Sequence, residues 1–104
     1  MQRIAFTMQL LPGNACAYRR RHDELWPELG ELLKRAGVSD YHIFLDPGTN
    51  TLFATLLRSD DHTMDALPLE PLMQAWWTSM ADLMETGPND EPVTRPLEPV
   101  FYLA

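Results

Sequence analysis

Apolar and polar residues alternate at the start of the chain. In residues 3–10, Ile4, Phe6, Met8 and Leu10 fall on one side and Ala5, Thr7 and Gln9 on the other. That two-residue period predicts a half-buried strand. Leu11, Pro12, Gly13 and Asn14 break it, and Asn14 stands where a helix N-cap is expected. Over residues 15–36 the period becomes helical: Tyr18, His22, Leu25, Trp26, Leu29, Leu32, Leu33 and Ala36 form one stripe. Pro27 interrupts it. Its ring lacks an N–H and crowds the carbonyl of Asp23, so a kink or broken turn is expected just after Trp26. Gly37 is the expected stop.

Residues 38–46 read as a second strand, with Tyr41, Ile43 and Leu45 on one face and His42 and Phe44 on the other. Residues 47–50, Pro-Gly-Thr-Asn, form a turn, and residues 51–58 complete a hairpin. Ser59, Asp60 and Asp61 look like the cap of a short helix around residues 62–66. After Pro68 and Pro71, a second main helix is expected to run to about Glu85, with Leu72, Met73, Trp76, Met80, Leu83 and Met84 inward. Residues 86–96 are rich in turn formers and read as a loop; the closing EPVFYLA reads as a short strand.

The order β-α-β-β-α-β predicts an α+β, ferredoxin-like domain over residues 1–104. Two main helices would cover one face of a four-stranded antiparallel sheet. The other face would carry Phe44, Phe53 or Leu52, and residues of the last strand. A half-apolar open face calls for a cover, and a homodimer packed sheet against sheet is the simplest one.

The chain has 104 residues, 45% of them apolar, and a net charge of −7. An acidic surface disfavours nucleic acid, anionic membrane and polyanionic substrates, and leaves a neutral ligand easier to accept. The one cysteine, Cys16, permits no internal disulfide and no paired-cysteine metal site. The first residues lack the apolar stretch of a secretory leader, and no apolar run approaches the ~20 residues of a membrane span. A cytoplasmic protein is the expectation.

His22 sits on the helical stripe one turn after Tyr18. That position suits a core histidine bonded to a backbone carbonyl. It equally suits an acid/base group in a pocket, where burial tunes an imidazole. Trp76 and Trp77 diverge by about 100° on a helix, so Trp76 fits the core and Trp77 its edge. Together they make core and rim, or an aromatic platform for the C–H face of a sugar. Tyr41 shares the helix-facing layer, and with Tyr18 it would suit a polyhydroxylated ligand; tyrosines also line ordinary cores. His42 and His62 read as structural or surface residues. Arg19, Arg20 and Arg21 beside Asp23 and Glu24 read as a solvated face, and no metal-ligand spacing or phosphate loop is present.

Residues 18–29, YRRRHDELWPEL, resemble the first helix of the L-rhamnose mutarotases. AFTMQLLPG, NTLFATL, QAWWTSMADLM and VFYL continue the resemblance across the whole chain. It implies a dimeric α+β barrel of ferredoxin-like subunits. Its activity would interconvert the α and β anomers of L-rhamnopyranose by acid/base-assisted ring opening, without cofactor or metal. Carried over position by position, it implies His22 as proton donor and Tyr18, Tyr41, Trp76 and Trp77 as sugar contacts. The chain departs in one loop: where the family often has Asn-Pro-Asp-Asn-Ser-Pro, it has Gly87-Pro88-Asn89-Asp90-Glu91-Pro92. The same architecture also hosts small monooxygenases and haem-degrading enzymes, and a non-catalytic ligand-binding dimer is a third reading.

Overall fold

The computed structural model describes residues 1–104. Strand β1 spans Gln2–Gln9. It runs antiparallel to β3, Thr51–Arg58, with Phe6 opposite Ala54 and Met8 opposite Leu52. This register places the apolar phase of both strands on one face. Strand β2, Val38–Asp46, pairs with β3 so that Ile43 and Leu45 lie opposite Ala54 and Leu52. Asp46 shapes the turn between them: its carboxylate accepts from the Gly48 N–H at 3.0 Å and the Thr49 hydroxyl at 3.1 Å. A bulge between Ser39 and His42 re-aims the start of β2, with Asp40 at φ 46°. The sheet order is β2-β3-β1-β4, the ferredoxin-like arrangement.

The long helical stripe is divided. Helix α1 covers Ala15–Asp23 and α2 covers Pro27–Arg35. The break occupies residues 24–26, so it ends at Trp26 rather than beginning after it. A residue before proline is pushed out of helical geometry, and Trp26 is extended at φ −60°, ψ 125°. Pro27 then opens α2 at the position where its missing N–H costs nothing. Asn14 precedes α1, but its side chain caps nothing: its Nδ2 donates to the Leu83 carbonyl at 3.2 Å. Gly37 ends α2 as expected, at φ 96°.

Other boundaries also shift. Ser59, Asp60 and Asp61 do not cap a helix; a 3-10 turn forms later, at Met64–Leu69, after Thr63. Helix α3 covers Pro71–Met80, and a 3-10 turn at Ala81–Leu83 ends the run short of Glu85. The fourth strand, β4, is Arg95–Leu97 and pairs with β1. It falls at the end of the expected loop, whereas residues 98–104, expected as the strand, form no ladder. The core lies between the helices and the inner sheet face, with Leu10, Leu29, Leu52 and Leu56 enclosed. On the outer face, Phe53 rather than Leu52 stands with Phe44 and Leu97.

Candidate functional site

A cavity of ≈ 960 Å³ opens between the inner sheet face and the helices. Twenty of its 27 lining residues are hydrophobic, which is the usual make-up of a small-molecule site with a few directing polar groups. Tyr18, His22, Tyr41, Trp76 and Trp77 all line it. They come from three elements: α1 supplies the first two, β2 the third and α3 the pair.

Tyr18 and His22 are four residues apart on α1, so their rings lie one above the other. Their centroids are 4.3 Å apart at 34°. Trp76 meets the imidazole edge-on, at 5.4 Å and 87°. Trp26, from the break between α1 and α2, meets Trp76 edge-on at 5.2 Å. Tyr41 contacts Phe6 in the same fashion at 6.5 Å. Trp76 is buried and Trp77 half-buried, as adjacent helical residues at a core boundary should be.

His22 Nδ1 lies 3.0 Å from the Tyr18 carbonyl. A carbonyl only accepts, so neutral His22 carries its proton on Nδ1 and leaves Nε2 as a lone pair. No protein group partners Nε2. Burial lowers the imidazole pKa from its ordinary 6.5, opposed by the Tyr18 carbonyl and the nearby Asp23 charge. Near neutrality the ring is therefore a base. Burial and the neighbouring Tyr41 push the Tyr18 phenol far above its usual range. Burial by protein atoms pushes Tyr41 up to about 12, although 39% of its surface is exposed. Both phenols stay protonated near neutrality and are uncharged groups able to donate and accept.

Some of the wall was not anticipated. Arg19, Asp23 and Glu91 line the cavity, and Trp26 braces Trp76. Arg19 and Asp23 looked like members of a solvated charged run. Arg21 of the same run is not free either: its guanidinium holds Asp82 at 2.8 Å and the Ser79 carbonyl at 2.6 Å, tying α1 to the end of α3. Glu91 lies in a segment whose path no periodicity could reveal. His42 pairs with Asp40, and His62 accepts the Met64 N–H, so both are structural. Cys16 is exposed. No three His, Cys, Asp or Glu side chains converge as a metal site, and no helix is long and apolar enough to cross a membrane.

The arrangement offers one fixed base, two neutral phenols and an indole pair around an apolar hollow. Comparison with known proteins adds the following. The family model described as L-rhamnose mutarotase matches residues 3–103. An L-rhamnose mutarotase of Jannaschia sp. (strain CCS1) is 58% identical over 103 residues, covering 99% of each chain. One from Mesorhizobium japonicum is 56% identical, covering 99% of this chain and 98% of that one. The crystal structure of L-rhamnose mutarotase FA22100 from Formosa agariphila superposes with a TM-score of 0.93, at 48% identity and full coverage of both chains.

Proposed function

Because the chain belongs to the L-rhamnose mutarotase family, we propose that it interconverts the α and β anomers of L-rhamnopyranose with His22 as its acid/base group. The observation that carries the residue assignment is the His22 ring itself, which lines the cavity, is pinned through Nδ1 and has no protein partner at Nε2.

Ring opening breaks the bond between C1 and the ring oxygen. One proton leaves the anomeric hydroxyl and one arrives at the ring oxygen, giving an aldehyde at C1 and a hydroxyl at C5. Rotation about C1–C2 presents the other aldehyde face, and closure reverses the proton traffic. Neutral His22 takes the first proton at Nε2 and, as imidazolium, returns it to the ring oxygen. One group thus serves both steps. The high phenol pKa values support Tyr18 and Tyr41 as hydroxyl-binding partners rather than bases. Trp76 and Trp77 offer faces for the C–H surface and the methyl group. Saturation-transfer NMR on mixed anomers tests the activity: exchange should accelerate at catalytic protein concentrations, and unaltered exchange removes the reading. The family membership does not favour the oxygenase alternative.

We further propose a homodimer through the outer sheet face, forming an α+β barrel. Phe44, Phe53 and Leu97 are 62%, 41% and 42% exposed there. Size scaling gives a compact chain of 11.9 kDa roughly 6,000 Å² of surface, whereas this chain presents 7162 Å². The excess is of the order of the ≈ 800 Å² each partner buries in a standard interface. A cytoplasmic location is part of the same proposal, consistent with an exposed lone thiol, which suits a reducing compartment; cell fractionation checks it.

A further inference from the structure

The segment following α3 folds into a tight clasp at the cavity rim. The Gly87 N–H donates to the Glu91 carbonyl at 2.7 Å, and Thr86 bridges to Pro92. The Glu91 side chain turns back into this loop, where one carboxylate oxygen accepts the Asn89 N–H at 2.8 Å. Its other oxygen occupies the space a side chain at position 87 would need: a Cβ there would lie 1.9 Å from it. Gly87 has no positive φ, so its backbone does not require glycine. A side chain there would instead displace the end of the Glu91 side chain. The loop is also fastened to α3, because the Thr78 hydroxyl donates to Asp90 at 3.1 Å, one residue beyond Trp77.

Glu91 is half-buried and is one of the residues lining the same cavity as His22. No cation neutralises it: the ion pairs join Asp60 to the amino terminus, Arg3 and His42 to Asp40, and Arg21 to Asp82. A carboxylate accepts about four hydrogen bonds, and one is used. A neutral polyol supplies donors of the kind such an acceptor lacks, and hydrogen bonds to a charged group are the stronger ones.

Resting on the mutarotase reading, we propose that Glu91, held in place by the absence of a side chain at Gly87, is a substrate-binding residue that accepts a hydrogen bond from a ring hydroxyl. The clasp fixes the carboxylate before the sugar arrives, so little freedom is lost on binding. The residue therefore acts on affinity and on hydroxyl pattern, and the proton transfers remain with His22.

The test is anomer exchange measured by saturation-transfer NMR for the native chain, E91Q, E91S, G87A and G87A/E91S. Glutamine keeps the shape and an oxygen for the Asn89 N–H, so a purely structural Glu91 leaves the half-saturation concentration unchanged in E91Q. The proposal expects it to rise about 3–10-fold, with a smaller change in kcat and an unaltered melting temperature. G87A should raise it by a similar factor by expelling the carboxylate. The double variant should be no worse than E91S alone, the non-additivity of two residues acting as one. A monodeoxy sugar series identifies the partner: one hydroxyl deletion should weaken the native chain and leave E91Q little affected. Unchanged half-saturation in E91Q, or additive losses in the double variant, overturns the proposal while native exchange stands. Absence of exchange in the native chain overturns the mutarotase reading itself.

Discussion

A histidine in the last turn of a helix is chemically ambiguous, and at His22 one atom decides the tautomer. The Tyr18 carbonyl fixes the tautomer, and burial disfavours the imidazolium. Sequence spacing placed His22 beside Tyr18 on the inward side; it could not show which nitrogen faces a carbonyl. Replacing His22 with Gln should reduce anomer exchange by about 10²–10⁴-fold, read by the same NMR measurement, with the fold retained in circular dichroism. The pH profile follows from the direction of the shift. Activity should be level at neutral and alkaline pH and fall as acid protonates Nε2, with the limb below pH 6.5. A rise in activity toward acid would instead mean that the cationic ring starts the reaction. Linkage has the same sense. The unfolded chain binds this proton more readily than the folded one, so the His22 contribution to stability is held above pH 6.5 and lost as pH falls below it. Urea unfolding across pH 5–8 checks it.

Among the elements, strand alternation carried most of the information. Residues 2–9, 38–46 and 51–58 were legible because one apolar phase must face the helices. The helix break was misplaced because Pro27 acts on the residue before it, while proline itself is at home in a first turn. The last strand was misassigned because EPVFYLA has strand-like composition, but the ladder stops at Leu97, opposite Ala5, although β1 itself continues to Gln2. Gly37 shows how tightly the α2-to-β2 connection is built. It combines φ 96° with a site where a Cβ would come within 2.3 Å of the Ser59 hydroxyl and 3.0 Å of His62. Gly37→Ala should therefore cost about 2 kcal/mol or more, visible as a fall in melting temperature of about 10 °C. Anomer exchange at 25 °C should persist in whatever fraction remains folded, since Gly37 lies outside the cavity wall.

At the scale of the molecule, only 15 of 104 residues are buried, and Val100, Phe101, Tyr102 and Leu103 project from the fold at 79–94% exposure. A mostly apolar segment so open to water sits poorly with an isolated chain. Under the proposed homodimer, sedimentation should give about twice the chain mass, and removing residues 98–104 should shift the distribution toward monomer. A truncated chain that sediments as the intact one would assign that segment no part in association. The fold class was readable from element order, but the surface excess was not: it depends on how far the sheet and the last residues stand from the core.

The chain's three tryptophans all lie around one hollow: Trp76 and Trp77 in its wall, and Trp26 edge-on against Trp76. No indole elsewhere contributes background light. Excited at the red edge of indole absorption, the unlabelled protein becomes its own optical titration cell. Its emission reports occupancy of the cavity, and a stopped-flow trace after mixing with sugar would follow arrival at the site separately from the anomer exchange that comes after.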